Sequence, residues 1–331
     1  MAAKRTSEVK FSGLTLRRLR QDAHIRDLAR EVRLSHRQFI QPLFVVEGIK
    51  AAEAVPGLSG TMRDTPASIL KTIERDLKAG VSKFLLFGVG KQKHTHRFNA
   101  NFTAGQIAAI KKRFGDDIWL AADVCLCAST EHGQCGILNA EGDRVENRGT
   151  VAALALQASA FAEAGADCVA PSDMMDGRVA AIRAAIPERT VLMSYAAKFH
   201  SGFYGPFRIA AGSAPKGKSK LTDRATYQID SAHPTDALRS ALRDADEGAD
   251  ILMVKPGLPY LDILAQLSRE IALPWAIYQV SGEYASIELM AAQGLMDRRR
   301  AHVECWEAFA RAGASMIISY GARHAKEWID A

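Results

Sequence analysis

Eight short apolar runs spaced between residues 39 and 320 constrain this chain more than any other feature. They are 39–46 (FIQPLFVV), 83–89 (KFLLFGV), 118–126 (IWLAADVCL), 167–171 (DCVAP), 190–195 (TVLMSY), 250–255 (DILMVK), 274–280 (PWAIYQV) and 315–320 (SMIISY). Each is almost continuously apolar instead of alternating, the pattern of a parallel strand covered on both faces. Stretches of helical period fill the gaps, among them 66–79, 103–114, 149–164, 234–247 and 298–312. Eight β/α units in succession predict one α/β domain over 37–331, closed into a (β/α)8 barrel, with an arm over 1–36 ahead of it.

A weak internal repeat supports the same architecture. KAGVSKFLLFG, EAGADCVAPSD, EGADILMVKPG and RAGASMIISYG each set a glycine just past a helix and a strand two or three residues later. Glycine tolerates the left-handed backbone that ends such helices. One connection breaks the rhythm: nearly forty residues separate Tyr195 from the helix starting near Pro234, and they are dense in Gly, Ser and Lys. A loop of that length inside a compact domain predicts a lid, over about 200–225.

Charge excludes one class of partner. The chain carries 43 Lys+Arg against 37 Asp+Glu, yet residues 1–37 alone hold ten basic and four acidic side chains. The body is therefore balanced, and the basic excess belongs to the arm, not to a nucleic-acid surface. The arm sequence TLRRLRQDAHIRDLAREVRLS has no strong apolar face, so it is either a solvated tail or a segment that wraps a partner subunit. No run approaches the roughly 20 apolar residues that span a bilayer, and no apolar signal segment opens the chain; the sequence reads as cytoplasmic, without membrane contact. Five cysteines in such a chain argue for thiols and metal ligands over disulfides.

Barrel active sites form where strands end, and the polar residues there are Asp123, Cys125, Cys127, Ser172, Asp173, Lys198, Lys255, Ser281, Glu283 and Tyr320. Lys198 and Lys255 each follow an apolar strand, which points an amine into a low-dielectric cleft. Burial and a neighbouring cation both disfavour the ammonium, and a lysine so depressed forms Schiff bases with ketones. Either lysine alone also fits a strand-end amine that snorkels to solvent. In ADVCLCASTEHGQCG, Cys125 and Cys127 share one side of a strand end and Cys135 returns through a loop containing Gly133. Three sulfurs suit zinc with a fourth position open for catalysis; His132 could instead close a structural site. Cys168 and Cys305 read as small buried hydrophobes. Arg208 and Arg224, in the long loop, are either a clamp on a substrate carboxylate or solvated loop side chains.

Together, RRLR, QPLFVVEG, the cysteine segment, APSDMMDGR, SYAAKFHSGFYGPFR, TYQID, EGADILMVKPGLPYLDI, YQVSGEY and IISY resemble the δ-aminolevulinic acid dehydratase (porphobilinogen synthase) family, zinc-dependent type. The resemblance implies a single TIM (β/α)8 barrel whose N-terminal arm embraces a neighbour, usually in a homo-octamer. It implies a lyase of haem and tetrapyrrole biosynthesis that condenses two 5-aminolevulinate molecules to porphobilinogen with loss of two waters. Lys198 would hold one substrate (the A site) and Lys255 the other (the P site), both as Schiff bases. Arg208 and Arg224 would clamp the A-site carboxylate with Gln228 nearby, Ser281 and Tyr320 would bind the P-site carboxylate, and Asp123 and Ser172 would sit near the reacting amines. Cys125, Cys127 and Cys135 would hold catalytic Zn2+. Departures are Ser129, where an aromatic is common, and Gln134, where many zinc-type members have a second histidine. Ser240 stands where many bacterial members place a glutamate for an allosteric Mg2+, and Arg243 resembles the arginine that replaces this ion elsewhere, so zinc without allosteric magnesium is expected. The rivals are a class I aldolase, which needs one lysine and no thiolate metal, and a non-enzymatic zinc-stabilised scaffold or thiol sensor.

Overall fold

The apolar runs form strands because both of their faces have something to cover them. The computed structural model describes residues 16–96, 98–215 and 219–330, so residues 1–15 of the expected arm and 216–218 of the expected lid lie outside it. The eight barrel strands are β1 (Phe39–Val46), β2 (Lys83–Val89), β3 (Trp119–Val124), β4 (Cys168–Pro171), β5 (Val191–Lys198), β6 (Ile251–Lys255), β7 (Trp275–Gln279) and β8 (Met316–Ser319). Each pairs in parallel with the next, and β8 pairs back onto β1 through Phe39↔Ile317 and Ile40↔Ile318, closing a (β/α)8 barrel.

The period of two along a strand divides the side chains between two cores. Phe39, Leu43 and Val45 of β1 point outward to pack with Ile69 and Ile73 of the helix Ser68–Lys78. Ile40 and Phe44 point inward, where they join Leu85, Ala121, Met193, Met253, Ala276 and Ile318. The repeated glycines carry the expected helix ends: Gly80, Gly165, Gly248 and Gly313 have φ of 92°, 99°, 98° and 110°. After each, the next amide reaches back to the helix, as in Ala249 N–H to Asp244 O at 3.0 Å.

Three features differ from the sequence expectation. β5 does not stop at Tyr195; a register irregularity between Ser194 and Ala197 lets it continue to Lys198. The long connection after β5 is not structureless, because Ser201 caps a short turn that leads into a helix over Gly205–Ala210. A small hairpin, Glu53–Ala54 with Met62–Asp64, lies beside β1. By compactness the chain divides into a unit ending at Arg33 and a unit from Leu34 onward. Within the first, Asp22 caps the helix Ala23–Leu28 and Arg33 pairs with Asp27 at 3.1 Å. The barrel belongs to the second. None of the described helices is long and apolar enough to cross a membrane.

Candidate active site

Lys198 and Lys255 end neighbouring strands, β5 and β6, and are register partners. Adjacent residues of a parallel ladder present their side chains on the same side of the sheet, here at the C-terminal mouth of the barrel. Both are buried, at 5% and 3% exposure. The Tyr195 ring lies 5.7 Å from Lys198 Nζ and 5.0 Å from Lys255 Nζ, so the two nitrogens share one aromatic neighbour. Lys255 is further boxed by Tyr278 at 4.2 Å, Phe207 at 5.0 Å and Tyr204 at 5.5 Å. Ring faces attract a cation, but desolvation of the ammonium wins: burial, with Lys198 beside it, pushes Lys255 down to about 7. Lys198 Nζ donates to the Ser172 carbonyl oxygen at 2.5 Å.

Asp123, at the end of β3, moves the opposite way. Burial raises its carboxyl to about 6 against the pull of Lys198 and Lys255. An amine and a carboxyl are thus brought into the same pH range, the arrangement general acid–base chemistry requires. Asp123 Oδ1 and the Tyr195 hydroxyl are both buried without a hydrogen-bond partner in the protein. Such orphaned groups are costly unless a ligand or water satisfies them.

The three cysteines converge as their spacing suggested. The sulfurs of Cys125, Cys127 and Cys135 lie within 4.8 Å of one another, and all are buried. Hydrogen bonds from Cys125 and Cys127 hold the Cys135 thiol well below its ordinary range. The loop returns at Gly133, where φ is 74° and a Cβ would fall 2.4 Å from the Ala214 carbonyl oxygen, so only glycine allows this approach. His132 is not one of the group: its Nδ1 accepts the Gln134 amide at 3.1 Å. Gln134 is itself diverted from the sulfurs. Its side-chain amide donates to the carbonyls of Leu221 and Asp223 at 3.1 Å each, and its oxygen accepts from the Tyr227 hydroxyl at 2.7 Å. A buried three-thiol set with converging sulfurs fits a thiophilic divalent ion with a coordination position left over.

The arginines of the long loop are not solvated. Arg224 is buried and donates to Gly133 O at 2.9 Å and Ser213 O at 2.8 Å. Arg208 is half-buried, and burial and the Arg224 charge depress its guanidinium. The Nε atoms of both, and both amide atoms of the buried Gln228, lack protein partners. Cations and amides held close with unfilled hydrogen bonds suit a carboxylate. Across the mouth, Ser281 opens the helix Ser281–Ala292; its hydroxyl accepts Phe207 N–H at 3.1 Å and donates to Phe203 O at 3.3 Å, tying down the connection that follows Lys198. Tyr320 is buried and accepts from Tyr278 at 3.3 Å. Asp173 takes the Met175 amide at 2.7 Å and lies 3.6 Å from Arg178, its Oδ2 buried without a hydrogen-bond partner in the protein.

Sequence reasoning missed three contributors. Tyr195 and Tyr278 of the strands and Tyr204 and Phe207 of the long connection form the box around Lys255, but nothing in sequence separates them from ordinary core aromatics. Tyr227 accepts the Cys135 amide at 3.2 Å and so supports the thiol loop from the lid side. Arg178, fully buried, bonds Asp244 at 2.9 Å, Ser194 at 3.1 Å and the Tyr195 carbonyl at 3.3 Å, bracing β5 from behind. Cys168 is buried as expected, whereas Cys305 is only partly so.

A family model described as delta-aminolevulinic acid dehydratase matches residues 14–328. The chain is 43% identical over 323 residues to the delta-aminolevulinic acid dehydratase of Helicobacter pylori, covering 94% of this chain and 96% of that one. It is 40% identical to the Streptomyces coelicolor protein of the same name, over 96% and 97% of the two chains. The crystal structure of delta-aminolevulinic acid dehydratase from Toxoplasma gondii ME49, in complex with the reaction product porphobilinogen, superposes with a TM-score of 0.90 at 36% identity, covering 97% of this chain and 92% of that one.

Proposed function

The chain belongs to the delta-aminolevulinic acid dehydratase family, and on that footing we propose that its barrel mouth is a porphobilinogen synthase site. The enzyme is a lyase of haem biosynthesis that joins two molecules of 5-aminolevulinate by one C–C and one C–N bond, with loss of two waters. The observation that carries this is the shared setting of Lys198 and Lys255, two buried amines on register-paired strands with one of them near neutrality.

Each role follows from what the side chain can do. Lys255, uncharged over much of the neutral range, attacks the ketone of the P-site substrate; its nitrogen loses two protons, the carbonyl oxygen leaves as water, and an imine remains. Lys198 does the same for the A-site substrate, whose imine loses an α-proton to become the carbon nucleophile. Asp123 is the group placed to accept and return protons, and Ser172 holds Lys198 through its carbonyl. Arg208, Arg224 and Gln228 fit the A-site carboxylate, and Ser281 and Tyr320 the P-site carboxylate. The lid over about 200–225 excludes water, which would hydrolyse both imines.

Cys125, Cys127 and Cys135 would hold Zn2+, which supplies Lewis acidity toward an amine or hydroxyl of the reactants. Ser240 takes the position of the magnesium-binding glutamate and Arg243 pairs with Asp244 at 3.1 Å and with Asp176, which supports activity without added Mg2+. The arm, residues 1–36, is read as the oligomerisation segment of a homo-octamer, and the protein as cytoplasmic. Zinc-loaded protein incubated with 5-aminolevulinate, without magnesium, tests the assignment: a pyrrole product is expected, and its absence overturns the function.

A further inference from the structure

Glu283 is a buried carboxylate, 3% exposed, that the reaction scheme leaves without a task. It stands at the third position of the helix Ser281–Ala292, and one oxygen accepts the N–H of Val280 at 2.7 Å, as a helix-capping carboxylate does. Capping accounts for only that bond. The same carboxylate accepts the amides of Gly257 at 3.1 Å and Leu258 at 2.5 Å, which belong to the turn immediately after Lys255. Those two donors open the short helical turn Leu258–Tyr260, so the bonds join the end of β6 to the start of the helix that carries Ser281. Burial pushes the Glu283 carboxyl up to about 7, while its three backbone donors pull the other way and fix it in place. Behind the turn, the Phe309 ring lies 2.8 Å from where a Gly257 Cβ would be. The turn therefore has no room to retreat and is held from both sides.

We propose that Glu283 is a positioning residue for Lys255: it fixes the backbone that follows the lysine, and with it the direction of the amine toward the P-site ketone. The inference rests on the Schiff-base role of Lys255. It is tested by site-resolved borohydride trapping of 5-aminolevulinate on the zinc-loaded enzyme, with Lys198 as internal reference. In Glu283→Gln, adduct formation at Lys255 should fall about tenfold or more while adduct formation at Lys198 stays near the parent rate. Unchanged trapping at both lysines, or parallel loss at both, overturns the proposal; failure of the parent to trap at either lysine overturns the Schiff-base reading first. Amide exchange on the unaltered protein gives a second check that needs no variant. Gly257 and Leu258 should exchange as slowly as the β6 amides, and exchange at the rate of exposed loops contradicts the assignment.

Discussion

Lys198 and Lys255 are direct register partners across β5 and β6, 57 residues apart in sequence and separated by the long connection and the helix Pro234–Asp246. The bulge between Ser194 and Ala197 is what carries β5 far enough to make them so. Their proximity has energetic consequences as well as chemical ones.

Lys255 titrates near 7 when folded, against about 10.5 for a free lysine. Between those pH values the unfolded chain binds more protons, so stability rises with pH there; below 7 the folded chain bears the whole cost, on the order of 5 kcal/mol. Lys255→Met should therefore abolish turnover yet make the protein more stable at pH 6, with the gain vanishing towards pH 10. Urea midpoints at the two pH values check this, and a variant less stable at pH 6 would contradict it.

Lys198 is the second cause of that depression, after burial. Lys198→Met removes a neighbouring charge without opening the site to solvent. The pH midpoint for adduct formation at Lys255 should rise by about one unit. A midpoint that stays put would mean the amines do not sense each other.

Cys127→Ala leaves two sulfurs where three converge. Tight zinc should be lost, and turnover with it, while the circular dichroism and melting of the barrel change little, because the core does not run through the thiol loop. Chelation of the parent protein should act alike. Chelation that unfolds the chain would favour the scaffold reading.

Arg178 carries a fully buried charge paired with Asp244. Asp244→Ala strands that charge and should lower stability by about 3–5 kcal/mol, measured by urea unfolding. A loss below about 1 kcal/mol would show that Asp173, at 3.6 Å, suffices alone.

The barrel was legible because continuous apolar runs admit few strand environments other than one buried on both sides, and Gly80, Gly165, Gly248 and Gly313 mark where four of the helices end. The cysteine triad was legible from spacing alone. Less so were residues whose role depends on what the chain brings opposite them. Tyr195 looks like any core aromatic until two amines flank it. Gln134 lies inside the cysteine motif, yet its bonds run to Leu221, Asp223 and Tyr227, because the long connection after β5 supplies carbonyls at that spot. Asp173, beside Ser172 in sequence, is taken up by the Met175 amide and the Arg178 guanidinium. Long-range contacts of this kind leave no local periodicity to read.

The most direct measurement is peptide mapping of the zinc-loaded protein after reduction with borohydride in the presence of 5-aminolevulinate. Two sites shared between two lysines require adducts on both Lys198 and Lys255, each lost when its own lysine is replaced. A single modified lysine, or adducts elsewhere on the chain, would contradict a two-imine condensation.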